Sequence, residues 1–124
     1  MIEIRSRKVI RWVGSSRRDL RRFQHEVRRD IGMVFDAAQL GEMDPSTKPL
    51  RGFHGASVIE IRAFFRSDTY RAVCTVRFGE VIYVLHAFQK KATRGGATPK
   101  REIEAIEARL KQAEEIHQMM EEGG

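Results

Sequence analysis

Residues 58–90 read VIEIRAFFRSDTYRAVCTVRFGEVIYVLHAFQK, and this stretch decides the fold. It divides into three runs rich in β-branched and aromatic residues, Val58–Phe65, Tyr70–Phe78 and Val81–Gln89. The links between them, Arg66-Ser67-Asp68-Thr69 and Gly79-Glu80, are of hairpin length, so the segment predicts an antiparallel meander. Alternate side chains of a strand face opposite ways. On that count Ile59, Ile61, Ala63 and Phe65 share an apolar face, as do Tyr70, Ala72, Cys74 and Val76. The third run divides into Val81, Tyr83, Leu85 and Ala87 on one side and Ile82, Val84, His86, Phe88 and Lys90 on the other. If helices cover the apolar faces, Glu60, Arg62, Arg71, His86, Phe88 and Lys90 converge on the uncovered side of one sheet.

Outward from the meander, Lys8–Val13 (KVIRWV) predicts a further strand, stopped by Gly14. Ser16 and Asp19 stand at capping-box spacing before a short helix carrying Leu20 and Phe23. From His25, the residues Val27, Ile31, Val34, Phe35 and Ala38 recur at helical spacing, marking a second helix that ends near Gly41, with Gly32 inside its stripe. Residues 42–57, with Pro45, Pro49, Gly52 and Gly55, predict a loop that carries Lys48, Arg51 and His54. Thr98-Pro99 predicts an N-cap and a proline in the first turn of a last helix, with Ile103, Ile106, Leu110 and Ala113 as its stripe to about His117. The expected fold is therefore α+β: a small antiparallel sheet with two N-terminal helices and one C-terminal helix packed on one face. One domain spans 1–124, with 118–124 as a frayed tail.

At 124 residues, 41% hydrophobic and 32% charged, the chain can bury a core, which excludes a disordered or fibrous protein. No apolar run is long enough for a membrane span, and the charged N-terminus does not read as a signal peptide, so a cytoplasmic protein without membrane attachment is expected. The single cysteine, Cys74, and four scattered histidines offer no cysteine-cluster zinc site and no local ligand pair, and neither a metal nor another cofactor is expected. The net charge is +6, and residues 1–30 hold ten Lys/Arg against four Asp/Glu. A field of that sign attracts polyanions, foremost nucleic acid, although a solvated arginine face would look the same.

A carboxylate, several cations, an imidazole and an aromatic on one sheet face suit an RNA phosphodiester, where a ribose 2′-hydroxyl attacks the adjacent phosphate without metal. Taken singly, these residues have plainer readings. Glu60 with Arg62 or Arg71 could be a surface ion pair, His86 a hydrogen-bonded edge histidine, and Phe88, Cys74 and Trp12 packing residues.

The segments Val27–Gly32 (VRRDIG), Lys48–Gly52 (KPLRG), Glu60–Arg62 (EIR), Tyr70-Arg71 and Val84–Lys91 (VLHAFQKK), in this order, resemble the RelE/HigB superfamily of type II toxins, specifically its phage-derived HigB-like branch. The resemblance implies a RelE-like fold and a ribosome-dependent mRNA endonuclease (an mRNA interferase) that inhibits translation. Its implied partners are the ribosome with its rRNA, mRNA, and a cognate helix-turn-helix antitoxin. It implies phosphate and transition-state contacts for Arg62 and Arg71, a general base in Glu60 and a proton donor in His86 or a lysine. Lys48, Arg51, His54, Phe88, Lys90 and Lys91 are the implied substrate-binding residues, Phe88 standing where relatives have a tyrosine and so able to stack but not to donate a proton. The alternative is a non-catalytic RNA- or ribosome-binding module acting through Arg17, Arg18, Arg21, Arg22, Arg28 and Arg29.

Overall fold

The computed structural model describes residues 6–53, 57–90 and 98–123. The elements are β1 (Val9–Trp12), α1 (Ser16–Arg21), α2 (His25–Gln39), β2 (Thr47–Pro49), β3 (Val58–Phe65), β4 (Asp68–Thr75), β5 (Val81–Lys90) and α3 (Lys100–Gly123). They form an α+β fold on one five-stranded sheet of order β1-β5-β4-β3-β2. The meander is present as expected, with β3, β4 and β5 antiparallel. β1 returns to pair with β5 in parallel, which two intervening helices and three strands permit, so the sheet is mixed. β2 lies inside the expected loop and pairs with β3 antiparallel, Lys48 opposite Glu60. A three-residue edge strand ending in proline leaves no periodicity to read, and proline is tolerated there because an edge residue needs no second ladder bond.

Helices cover both faces, a correction to the expected one-sided packing. Leu20 and Phe23 with the α2 stripe Val27, Ile31, Val34, Phe35 and Ala38 bury Ile59, Ile61, Ala63, Tyr70, Ala72, Cys74, Ile82, Val84 and Ala87. On the opposite face α3 lays Ile106 and Ala113, with Ile103 and Leu110 at their flanks, over Val58, Val73, Tyr83, Leu85 and Phe88. α3 continues through 118–123, where a frayed tail was expected. Cys74 is wholly buried and its thiol is pushed up to about 12, which makes it the inert core residue expected. Trp12 packs edge-on against Phe35, its ring centroid 6.1 Å away.

The parity of β5 is the instructive departure. Ile82 and Val84 face the α2 side and Tyr83 and Leu85 the α3 side, yet further along Ala87 faces α2 and Phe88 faces α3. The phase changes because Val73 pairs with His86 while the next residue of β4, Cys74, pairs with Val84, leaving Leu85 as an extra residue in a β-bulge. A bulge strands backbone groups that the ladder would otherwise satisfy. Here the Leu85 carbonyl accepts from Arg109 Nη1 at 3.0 Å, and the Val84 carbonyl accepts from the Val13 amide at 3.0 Å and the Ser16 hydroxyl at 2.9 Å. Ser16 therefore ties α1 to β5, and the hydroxyl facing Asp19 at 2.7 Å is that of Ser15.

Gly32 is not a close-packing residue, because a Cβ built there meets nothing within 4 Å. Its cost to α2 is uncompensated backbone entropy. Gly32→Ala is therefore expected to raise stability by about 0.5–1 kcal/mol, read as a higher urea midpoint at unchanged slope.

Candidate active site

Glu60 and Arg62 alternate along β3 onto the α3 side of the sheet, and Arg62 pairs directly with Arg71 of β4. The carboxylate holds both cations. Its Oε1 accepts from Arg62 Nε at 2.8 Å, and its Oε2 lies 3.4 Å from Arg71 Nη1. The Glu60 and Arg71 side chains are each 3% exposed, whereas that of Arg62 is 29% exposed. Arg71 is thus a buried brace and Arg62 the guanidinium that reaches the opening. Burial, followed by the field of Arg62, holds the Arg71 pKa below the ordinary arginine value in spite of Glu60.

Thr98 completes the cluster, and no reading of the sequence found it a place there. Its hydroxyl donates to Glu60 Oε2 at 2.9 Å and accepts from Arg71 Nη1 at 3.1 Å. With the hydroxyl engaged, the expected cap does not form at Thr98. Instead the Pro99 carbonyl accepts the Ile103 amide at 3.1 Å and begins the helix. A cleft of about 540 Å³ opens over this cluster, lined by Lys48, Pro49, Leu50, Arg51, Glu60, Arg62, Thr98 and Ile103. Lys48 and Arg51 are exposed at its rim, and Lys48 shares the face of Glu60 because the two are paired across β2 and β3.

Lys90 is a further cation on this face of the sheet, two residues beyond Phe88, the partner of Arg71. Its pKa is lowered by burial first and then by the guanidiniums of Arg71 and Arg62, with Glu60 opposing. His54 and Lys91 lie outside the described residues.

His86 and Phe88 share the face of Arg71 but not its opening, because α3 covers them. His86 Nδ1 lies 2.7 Å from Arg109 Nη1 and its Nε2 lies 2.5 Å from Glu102 Oε2. A guanidinium can only donate, so Nδ1 holds a lone pair and the ring proton sits on Nε2, where it is given to Glu102. Both nitrogens are committed to one helix. Phe88 is buried and stacks on His86 with ring centroids 5.3 Å apart, so it is a packing residue rather than a platform for a nucleobase. These two placements correct the expectation that the whole face is open. The arginine that pins the imidazole, Arg109, also donates from Nη2 to the Ser15 hydroxyl at 2.7 Å.

Among the described residues no three His, Cys, Asp or Glu side chains gather as a metal site would require, and no helix is long and apolar enough to cross a membrane. The charge density of the cleft is instead cationic, with one carboxylate enclosed. Such a site can hold a phosphate and neutralise charge as it develops there.

No curated protein matches the chain. Among solved structures, it is similar to the crystal structure of the toxin-antitoxin complex RelBE2 from Mycobacterium tuberculosis, at 18% identity over 68% of this chain and 99% of that chain, with a TM-score of 0.48. The family described as Phage derived protein Gp49-like (DUF891) matches residues 18–111, about three quarters of the chain. That span runs from α1 into α3 and takes in every described residue of the cleft, and on it the chain belongs to the phage-derived Gp49-like family, a RelE/HigB-like toxin family.

Proposed function

We propose that this toxin is an endoribonuclease that cuts mRNA on the translating ribosome, through metal-independent attack of a ribose 2′-hydroxyl on the adjacent phosphate. The observation that supports this best is the pairing of Arg62 with Arg71 across β3 and β4, both held by Glu60 at the floor of a cationic cleft. The scissile phosphate sits against Arg62, with Arg71 behind it, and these two charges stabilise the extra negative charge of the pentacovalent transition state. Lys48 and Arg51 hold flanking phosphates. The Thr98 hydroxyl occupies the hydrogen-bond position on Glu60 that a ribose 2′-hydroxyl would take. When substrate displaces it, Glu60 accepts the 2′-hydroxyl proton, the 2′-oxygen bonds to phosphorus and the bond from phosphorus to the 5′-oxygen breaks.

The leaving 5′-oxygen needs a proton, and of the donors expected from the resemblance, His86 has both nitrogens turned to α3. Lys90 takes that role: it stands two residues beyond Phe88, the partner of Arg71, on the same face of β5, and the Arg71 and Arg62 guanidiniums that help to lower its pKa favour release of its proton. The products are a 2′,3′-cyclic phosphate and a 5′-hydroxyl. The partner that restrains the toxin is a helix-turn-helix antitoxin.

The Lys90 assignment is tested by single-turnover cleavage on programmed ribosomes across pH. An acid must be protonated, so the wild-type rate falls as pH rises through the Lys90 pKa, below the ordinary lysine range. Lys90→Arg keeps the charge but cannot release a proton. It is expected to cut about 10²-fold more slowly and to lose that alkaline limb. An unchanged pH profile in Lys90→Arg returns the acid role to another group.

A further inference from the structure

Arg62 lines two hollows, the cationic cleft and a groove of about 360 Å³ at the outer edge of β3. β2 pairs with β3 only as far as Ile61, so the groove lies where that edge is left open. Phe64, Met33, Asp30, Asp44 and Ser46 are also in its walls. β3 runs beside β4 without a bulge, and Phe64 therefore faces the same way as Glu60 and Arg62. It is 69% exposed and is the only exposed aromatic side chain among the described residues. The chemistry proposed above does not use it, whereas Phe88, the aromatic expected to stack on a base, is enclosed.

Apart from Arg62, the charges of this groove are acidic. Asp30, on α2, is exposed, and its carboxylate makes no ion pair or hydrogen bond among the described residues. Asp44 accepts the Ser46 amide at 2.8 Å, and this bond, with the Ser46 hydroxyl close by, holds its carboxyl below the ordinary aspartate range, so it is charged at neutral pH. That hydroxyl is buried and is not aligned to bond the carboxylate, which leaves it a buried polar group without a partner among the described residues. Two carboxylates repel an RNA backbone. A strand that rests a phosphate on Arg62 therefore presents a base, not a second phosphate, to the groove.

We propose that this groove receives the base of the nucleotide next to the scissile phosphate and selects guanine. The inference rests on the nuclease reading for its ligand, a single RNA strand. Two residues of a strand span roughly 6.6 Å, so an unstacked base whose phosphate lies on Arg62 reaches the Phe64 ring. Unpaired bases are held in this way, by stacking on an aromatic and by hydrogen bonds to their Watson–Crick edge. A carboxylate can only accept such bonds. Guanine presents its N1–H and its exocyclic amine side by side, one for each carboxylate oxygen. Adenine and cytosine set a single amine beside a lone pair that the carboxylate repels, and uracil sets one N–H between two carbonyls. The Ser46 hydroxyl is then able to donate to a base oxygen.

The test is single-turnover cleavage by the full chain on ribosomes programmed with messages that carry guanine, inosine, adenine or uracil at the nucleotides flanking the cut. Wild type is expected to cut the guanine message about 10–10²-fold faster than the adenine or uracil message, with inosine, which lacks the amine, between them. F64A is expected to lose about tenfold on every message and F64W to regain it, as a stacking platform would. D30N/D44N is expected to cut all four messages alike. Circular dichroism verifies folding, and D30N alone, at an exposed position, repeats the measurement without touching the Asp44 turn. Equal wild-type rates on the four messages overturn the proposal, as does an undiminished guanine preference in D30N/D44N. Variants that cut with wild-type preference yet escape inhibition by the cognate antitoxin give the groove to a protein partner and overturn it as well. Anisotropy with short strands made uncleavable by a 2′-methoxy group at the cut separates this site from the chemistry. If ribosomes yield no cut, the nuclease reading fails, and a guanine preference in strand binding that D30N/D44N abolishes, or its absence, decides the groove by itself.

Discussion

Arg62→Ala is expected to abolish growth arrest on induction, with cleavage reduced about 10²–10³-fold, the loss typical of a missing oxyanion donor, while the protein melts nearly as the wild type does. The reason is that the Arg62 guanidinium is 29% exposed, so water replaces part of what it gives the floor carboxylate, and Glu60 keeps Arg71 and the Thr98 hydroxyl as partners. Arg71→Ala is expected to lose as much activity and in addition about 3 kcal/mol of stability. Removing the buried guanidinium leaves a carboxylate that is 3% exposed short of one of its cations. Equilibrium denaturation read beside toxicity separates the two. If both variants arrest growth at equal expression, the paired arginines do not act on phosphate.

Arg109→Ala is expected to cost about 3 kcal/mol or more without touching the cleft. Arg109 supplies partners to the Leu85 carbonyl, to His86 Nδ1 and to the Ser15 hydroxyl. The first of these is the stranded acceptor of the β5 bulge, and a buried polar group left unpaired costs about 1–3 kcal/mol. Gly14 provides a check on the same contact. Its φ is +58°, and a Cβ there would stand 2.8 Å from Arg109 Nε, so Gly14→Ala is strained twice, by backbone and by clash. Once Arg109 is absent the clash is absent too. The double variant is therefore expected to be destabilised by less than the sum of the singles, a coupling that urea melts of the four proteins would measure.

The sequence disclosed most of the sheet, because β3 and β4 are long and each carries one wholly apolar face. It also placed Glu60, Arg62 and Arg71 together, since parity within unbulged strands is a local property. The phase change at Leu85 was hidden for a physical reason: a bulge is set by which distant donors satisfy its carbonyls, here Ser16 and Arg109, and neither is near in the chain. The course of α3 was hidden too. Its stripe of Ile103, Ile106, Leu110 and Ala113 shows that one face is buried, but not against which side of the sheet. That choice turned His86 from an open-face imidazole into a pin under a helix, and brought Thr98 onto Glu60. The family resemblance identified a cationic site without revealing that Glu60, Arg71, His86 and Phe88 are enclosed.

The claim on which the rest stands is that the arginine pair over Glu60 promotes attack by a ribose hydroxyl. End-group analysis of messages recovered from translating ribosomes after induction tests it most directly. New 5′ ends bearing hydroxyl groups and upstream fragments ending in 2′,3′-cyclic phosphate are expected, and neither in cells expressing Arg62→Ala. Fragments that carry 5′-phosphates, or the same ends produced by Arg62→Ala, would contradict it.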